Sequence, residues 1–321
     1  MTSPYDIEEI FPEDAAGAVR LPRRQAGNSP QGLTVTLLAD YTLRTRAWLP
    51  SAAVVALLGE AGVSPAGART AISRLARRGV LEGSRRGRQS SYRLTAAAAG
   101  FLAVGGSAIV SPAGAEPWDE CWTLIAFSLP QAETARRRGL RTQLRWMGYA
   151  PLYDGLWVSP RALGDPARAE LDRLAPGALT VFRARHVDVG AAAGRAPIDA
   201  WDLAAIGAEY AAFIRRWRAT PARMSAGSIT GAGAVRVRTE VMDDYRRLPV
   251  LDPALPARLL PADWPREAAR NLFAAVYDGL ARTAEAHVRD VAERVAGSPP
   301  SGVRAHTVAD LAAGLGPRHG L

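Results

Sequence analysis

The chain has 321 residues, 48% of them hydrophobic and 22% charged, a composition typical of globular proteins at a length that favours several domains. Its net charge is +9, and because all 40 basic residues are arginine, the sequence excludes a Schiff-base lysine and a P-loop lysine. A single cysteine and the lack of any run of about 18 apolar residues exclude an intrachain disulfide and a membrane span, so we expect a cytoplasmic protein.

Residues 1–30 predict a flexible tail, because they mix acids, prolines and small residues without apolar periodicity. Their acidic start also differs from the basic start of a secretory signal. Residues 31–95 predict three short helices and a β-hairpin. The first helix follows the apolar residues from Leu33 to Tyr41, and the second begins at Ser51, a good N-cap.

The third helix has the clearest boundaries in the chain, with Ser64 as its N-cap and Gly79 as its stop. Its buried face is predicted from apolar residues at helical spacing: Ala68, Ala71, Ile72 and Leu75. A glycine-centred basic turn and a strand through Ser91–Leu94 follow. Three helices followed by a basic hairpin are typical of a winged helix-turn-helix.

Charge is concentrated in this segment, where ten arginines stand against three acidic residues. A basic field of this kind is what binding to DNA phosphates requires. We expect Arg74 and Arg77 to approach the base edges of DNA, and Arg86 and Arg88 to approach the DNA backbone. The predicted DNA-binding residues are Arg69, Thr70, Ser73, Arg74, Arg77, Arg85, Arg86, Arg88, Gln89 and Tyr92.

Residues 96–117 predict a connecting helix and a Pro/Gly-rich linker. Strands at 122–129, 149–159 and 179–189 then alternate with two helices. This order predicts a ferredoxin-like α/β sandwich over residues 118–197.

A helical C-terminal domain is predicted over residues 198–297, including one long helix from Arg266 to about Val295. Residues 298–321 predict a second flexible tail. The expected fold class is therefore α+β, with an N-terminal winged helix-turn-helix, a middle ferredoxin-like sandwich and a C-terminal helical domain.

A second arginine cluster lies between Arg136 and Arg145 on a predicted helix. It is either a solvated face or a site for phosphate groups of DNA or of an anionic effector. A candidate effector site combines this cluster with an aromatic side chain: Arg137, Arg141, Arg145 and Trp157. Four scattered histidines and a single cysteine predict no metal site, no cofactor and no catalytic residue.

Three segments carry a resemblance to the PaaX family, repressors of phenylacetate-degradation genes: Ala68–Leu75, Gly87–Thr95 and Leu255–Pro265. The resemblance implies a homodimeric repressor bound to double-stranded operator DNA, without a membrane partner. It also implies release by an effector such as an aryl-CoA thioester. A free aromatic acid and an unrelated metabolite remain the alternatives. Repression and activation both remain open from the residues themselves.

The middle segment also resembles the small ferredoxin-like nucleases of CRISPR adaptation. In those enzymes an aspartate at the end of the first strand binds metal, whereas this chain has Ser128 at that position. A serine is a poor ligand for a hard cation, so nuclease activity is not expected. The leading hypothesis is a ligand-responsive repressor of an aromatic-acid catabolic operon. The alternative is a non-specific nucleic-acid-binding or nucleic-acid-processing protein that uses the ferredoxin-like domain.

Overall fold

The computed structural model describes residues 29–87, 89–110, 118–130, 132–188 and 194–314, and its fold is α+β as predicted. The predicted linker at 111–117 and the predicted DNA contact Arg88 lie outside these residues. The chain divides into two compact units. Among the described residues, the larger unit comprises 29–110, 209–250 and 265–314, and the smaller unit comprises 118–208 and 251–264.

The described part of the chain forms the following helices and strands. The α-helices are α1 (Pro30–Thr42), α2 (Ser51–Glu60), α3 (Pro65–Arg77), α4 (Ala96–Val110), α5 (Thr134–Trp146), α6 (Asp165–Leu174), α7 (Leu203–Trp217), α8 (Thr220–Ser225), α9 (Gly231–Tyr245), α10 (Leu248–Leu251), α11 (Arg266–Gly279), α12 (Ala281–Ala296) and α13 (Val308–Ala312). The strands are β1 (Leu49–Pro50), β2 (Leu81–Arg86), β3 (Gln89–Leu94), β4 (Cys121–Phe127), β5 (Ala150–Tyr153), β6 (Leu156–Ser159) and β7 (Leu179–Arg185). No helix among the described residues is long and apolar enough to cross a membrane.

The first part of the larger unit contains the three helices and the hairpin that the sequence predicts. Strands β2 and β3 pair antiparallel from Leu81↔Leu94 to Arg86↔Gln89, and β1 adds a short third strand beside β3. Helices α1 and α2 both pack against α3, and α3 also contacts β2. The three helices and the small sheet therefore share one core.

In the division into compact units, residues 31–95 share the larger unit with 209–250 and 265–297, whereas 198–208 and 251–264 of the predicted C-terminal domain belong to the smaller unit. Arg238 of α9 is fully buried and donates hydrogen bonds to the carbonyl oxygens of Tyr277 and His306. Its guanidinium lies 3.6 Å from the ring centroid of Tyr277. The Tyr277 hydroxyl in turn donates a 2.7 Å hydrogen bond to Oδ1 of Asp40 on α1. We call Asp40, Tyr41, Arg238, Tyr277 and His306 the buried cluster.

The segment after α12 corrects the prediction of a flexible tail over 298–321. Within it Val303, Ala305 and His306 are buried. The backbone N–H groups of Arg304 and His306 donate to the carbonyl oxygens of Tyr41 and Asp40, at 2.9 and 3.0 Å. This segment therefore closes the C-terminal end of α1 rather than extending into solvent, and α13 continues it up to residue 312. Residues 315–321 lie outside the described part of the chain.

The predicted long helix from Arg266 to about Val295 is two helices, α11 and α12, which meet at Leu280. The junction lies where α8 packs against α11. A Cβ atom at Gly279 would collide with the side chain of Met224 on α8. Glycine at this position therefore leaves room for the end of the Met224 side chain where α8 contacts α11.

The smaller unit is built on one antiparallel four-stranded sheet with the order β5-β6-β4-β7. The strand predicted at 149–159 with an interruption at Asp154 and Gly155 is a hairpin of β5 and β6, which turns at these two residues. Gly155 has φ +80°, and a Cβ there would lie 3.0 Å from the carbonyl oxygen of Phe127. The chain order is thus β-α-β-β-α-β. One apolar cluster joins Ile125 to residues of α5 and α6, and a second cluster contains Trp122, Leu152 and Val158.

Candidate nucleic-acid interface

Helix α3 separates its apolar and polar residues onto opposite faces. Ala68, Ala71, Ile72 and Leu75 are buried as predicted. The residues predicted to face DNA from this helix are all exposed: Arg69, Thr70, Ser73, Arg74 and Arg77. The Ser64 hydroxyl caps the helix by accepting a 3.1 Å hydrogen bond from the Gly67 N–H. The cap and the core contacts fix the helix, so its polar face is presented on a rigid element.

The arginines of this face are available to a ligand. Arg69, Arg74 and Arg77 make no ion pair with any described residue. Arg78, at the end of the same helix, is only partly exposed and lies 3.4 Å from Oε1 of Gln31. Three uncompensated guanidinium groups beside two hydroxyl side chains can contact phosphates and base edges together.

The hairpin places its predicted residues less uniformly. Arg85 is exposed, and its Nε donates a 3.2 Å hydrogen bond to the carbonyl oxygen of Gly87, where φ is +59°. Gln89 is also exposed, and its Nε2 lies 3.4 Å from the carbonyl oxygen of Val295. Tyr92 is partly buried in the sheet and packs against Gly83. The side chain of Arg86 and all of Arg88 lie outside the described part of the structure.

A carboxylate at the base of the hairpin binds two arginines that the charge count assigned to the basic field. Glu82 Oε1 accepts a hydrogen bond from Arg46 and a 2.7 Å hydrogen bond from Nε of Arg93. The Arg93 guanidinium also lies 4.3 Å from the ring centroid of Trp48. Arg46 and Arg93 therefore stabilise the hairpin. Sequence spacing does not reveal this network, because Arg46 and Glu82 are 36 positions apart.

The candidate effector residues of α5 have intramolecular partners. Arg137 donates to the carbonyl oxygen of Leu129, and Arg141 lies 2.6 Å from Oδ1 of Asp154. Arg145 is exposed, with its guanidinium 5.6 Å from the ring centroid of Trp157. Trp157 itself is only 2% exposed and belongs to the core between sheet and helices. The structure thus brings Arg145 and Trp157 together, but it does not place the Trp157 ring in an open pocket.

The position relevant to nuclease activity carries no acidic group. Ser128 is exposed and directly follows β4. No group of three histidine, cysteine, aspartate or glutamate side chains in the described ranges is arranged to hold a metal ion.

Comparison with known proteins gives three consecutive family-model matches. They are the PaaX-like protein model over residues 29–98, the central Cas2-like domain of PaaX protein over 115–196, and the PaaX-like C-terminal domain over 201–290. The chain is also 30% identical over 259 residues to the transcriptional repressor PaaX of Escherichia coli K12, covering 79% of this chain and 80% of that protein. The chain belongs to the PaaX family. An uncharacterised protein, Rv0674 of Mycobacterium tuberculosis, shares the fold, with a TM-score of 0.56, 21% identity and coverage of 83% of this chain and 99% of that one.

The family models follow the segmentation of the sequence more closely than the division into compact units does. The N-terminal PaaX-like match ends at residue 98 and the C-terminal match begins at 201, yet both regions contribute to the larger unit. Sequence reasoning missed the buried cluster that joins them. Its one signal was Asp40, a carboxylate set among the buried apolar residues of α1.

Proposed function

We propose that this chain is a transcriptional repressor that binds operator DNA through residues 31–95, folded as a winged helix-turn-helix. The observation that carries the proposal is the exposed Thr-Ser-Arg face of α3, whose arginines have no acidic partner among the described residues. In this proposal α3 enters the major groove, and Arg74 and Arg77 read base edges. The hairpin residues Arg85, Arg86, Arg88, Gln89 and Tyr92 contact the backbone beside it.

The experiment is operator binding by the full chain, with R77A compared against R282A. Arg282 is an exposed arginine of α12, so its removal changes the net charge equally without touching α3. Loss of a base-reading arginine should weaken operator binding by about 1–3 kcal/mol and relax the preference for operator over random duplex. R282A should retain both properties.

Loss of a contact to the DNA backbone should affect binding differently. A variant such as R85A should weaken all duplexes alike and reduce the slope of log affinity against log salt by about one. If R77A and R85A both bind operator and random DNA like the parent protein, the interface lies elsewhere and the proposal is wrong.

We further propose a homodimer, because one recognition helix reads only a few base pairs and a two-fold protein matches two half-sites. Strand β7 supports this part of the proposal. It is an edge strand that pairs with β4 alone among the described residues, and its Val181 and Phe182 side chains are 41% and 52% exposed. An uncovered edge of this kind is a template for pairing with a second copy.

Light scattering of the full chain should report about twice the chain mass of 34.1 kDa. V181K places a charge on the exposed edge and should shift the protein towards monomer at micromolar concentration. The matched control is V187K, on an exposed valine outside the strand. A parent protein that stays monomeric on operator DNA would overturn the dimer.

We also propose that the regulated genes serve aromatic-acid catabolism and that an aromatic effector releases the repressor. The resemblance supports an aryl-CoA thioester, with Arg137, Arg141, Arg145 and Trp157 as its first candidate site. Arg145 is the most accessible member of that set. Release requires a ligand that binds the DNA-competent and DNA-incompetent states unequally. Addition of phenylacetyl-CoA to the operator complex tests this, and an unchanged operator affinity would contradict it.

A further inference from the structure

The C-terminal end of α12 lies beside the tip of the hairpin formed by β2 and β3. Gln89 pairs with Arg86 at this tip, and its Nε2 lies 3.4 Å from the carbonyl oxygen of Val295. The Val295 side chain is 37% exposed, so this end of α12 is open to solvent. A hairpin that contacts the DNA backbone therefore brings the last turn of α12 close to the same DNA.

Helix α12 is held firmly in this position. It contacts α2, β1 and α9. Its buried residues are Ala281, Ala284, Val288, Val291 and Ala292. The helix stops at Gly297, where φ is +73° and the N–H donates a 2.8 Å hydrogen bond to the carbonyl oxygen of Glu293. The side chains of its last turn are thus presented on a rigid element.

Helical spacing places Arg294 on the side of α12 that faces α2. His287 marks this side, because its Nε2 lies 2.8 Å from Oε2 of Glu60 at the end of α2. Arg294 follows His287 by seven positions, or about two turns, so the two side chains leave the helix in nearly the same direction. Arg282 precedes His287 by five positions and lies on a different side.

Arg294 has only a weak hold on its partner in the chain. Its Nη2 lies 3.1 Å from Oδ2 of Asp290, one turn earlier, and the two side chains are 64% and 63% exposed. An exposed pair of this kind contributes little to stability, because water competes for both groups and salt screens them. A phosphate can therefore replace Asp290 at the guanidinium.

We propose that Arg294 contacts a DNA phosphate beside the hairpin, so that the DNA interface extends from residues 31–95 onto α12. This inference rests on the proposed binding of DNA by α3 and the hairpin. A phosphate contact adds affinity and fixes the orientation of the protein on the duplex, but it carries no sequence preference of its own.

The test is binding of the full chain to operator and to random duplex over a salt series, with R294A compared against R282A. One phosphate contact changes the slope of log affinity against log salt by about 0.9. R294A should lose about this much slope and bind both duplexes about five- to tenfold more weakly at about 0.1 M salt. R282A removes the same charge from another side of the same helix and should keep the parent slope and affinity.

Equal slopes for R294A, R282A and the parent protein would overturn the proposal. A loss of affinity in R294A at an unchanged slope would also overturn it, because a merely structural effect does not alter the number of phosphate contacts.

The carboxylate beside Arg294 provides a second test. D290N removes the group that competes with phosphate for the guanidinium and should tighten binding about two- to threefold. The matched control is E293Q, because Glu293 is exposed and lies eleven positions after Arg282, on the same side of α12 as that residue. E293Q should leave the affinity close to that of the parent protein. Equal gains in D290N and E293Q would indicate a general effect of charge and would contradict the contact.

Ethylation of single phosphates locates the contact on the DNA. Next to the phosphates contacted by the hairpin, we expect one phosphate whose ethylation weakens the parent protein but not R294A. Identical ethylation patterns for the two proteins would contradict a phosphate contact by Arg294.

The variant R77A separates this inference from the proposed function. If R77A loses operator affinity while R294A behaves like R282A, the interface on α3 stands and only the extension onto α12 fails. If R77A, R85A and R294A all bind like the parent protein, the proposed function fails together with the extension.

Discussion

Glu82 limits the positive charge of the hairpin by binding both Arg46 and Arg93. We expect E82Q to release these two guanidinium groups and to raise the affinity for random duplex a few-fold, since one more net positive charge strengthens phosphate binding. The preference for operator should fall at the same time. Filter binding over a salt series would measure both, and the slope of log affinity against log salt should steepen.

E170Q is the control for this charge change, because Glu170 lies in α6 and pairs with Arg173 of the same helix. Glu82 is partly exposed, so E82Q should lower the free energy of unfolding by no more than about 1 kcal/mol. An unchanged salt slope in E82Q would show that Arg46 and Arg93 stay away from DNA even when unpaired.

At the scale of elements, the contact between α1 and the 302–306 segment contains two ionisable groups whose pKa values are shifted in opposite directions. Burial raises the pKa of Asp40 from 3.8 to about 6, although Arg238 and the Tyr277 hydroxyl oppose the shift. Burial lowers the pKa of His306 from 6.5 to about 4, with the nearby Arg238 and Arg304 acting in the same direction. The folded protein thus favours neutral forms of both groups.

The two groups affect stability with opposite signs. The stability that Asp40 contributes is present below its unfolded pKa and is lost as pH rises through about 6. The stability that His306 contributes is present above its unfolded pKa and is lost as pH falls through about 4. Between these limits the two effects oppose each other in the parent protein.

The variant D40N removes the pH dependence of stability that Asp40 contributes and leaves that of His306. Between about pH 7.5 and about pH 5, D40N should lose about 1–2 kcal/mol more free energy of unfolding than the parent protein. Urea denaturation at both pH values measures the difference. D119N, at an exposed aspartate, is the control. A parallel pH dependence for D40N and the parent protein would contradict the opposing roles of Asp40 and His306.

Elements with local signals were predictable, and those fixed by distant contacts were not. The start and stop of α3 follow from Ser64 and Gly79, and its buried face follows from helical spacing. The break at Leu280 has no proline to announce it and coincides with the approach of α8 to Gly279. The packed segment at 302–306 is short and has no helical or strand periodicity, and its order comes from backbone hydrogen bonds to α1.

At the scale of the whole molecule, the larger unit is assembled from three separate stretches of chain. Sequence reasoning divides the chain where composition changes, and it cannot detect that α1 packs against residues more than 190 positions later. We expect a fragment of residues 29–110 not to fold alone. It would expose Tyr41 and leave the buried Asp40 without its Tyr277 partner.

Circular dichroism of this fragment should show little helix, and its operator affinity should fall to that of a non-specific binder. The full chain under the same conditions is the reference. A fragment that unfolds cooperatively and binds operator like the full chain would show that the buried cluster does not support the DNA-binding helices.

The contribution of residues 302–312 to the core has a consequence for synthesis of the protein in the cell. Helices α1 to α3 leave the ribosome early, but residues 302–306, which close their core, follow more than 200 residues later in the chain. At about 5–20 residues per second, roughly 10–40 seconds separate the two events. We therefore expect nascent chains and products terminated before residue 302 to leave the operator free, so that nonsense mutations before codon 302 are recessive rather than dominant.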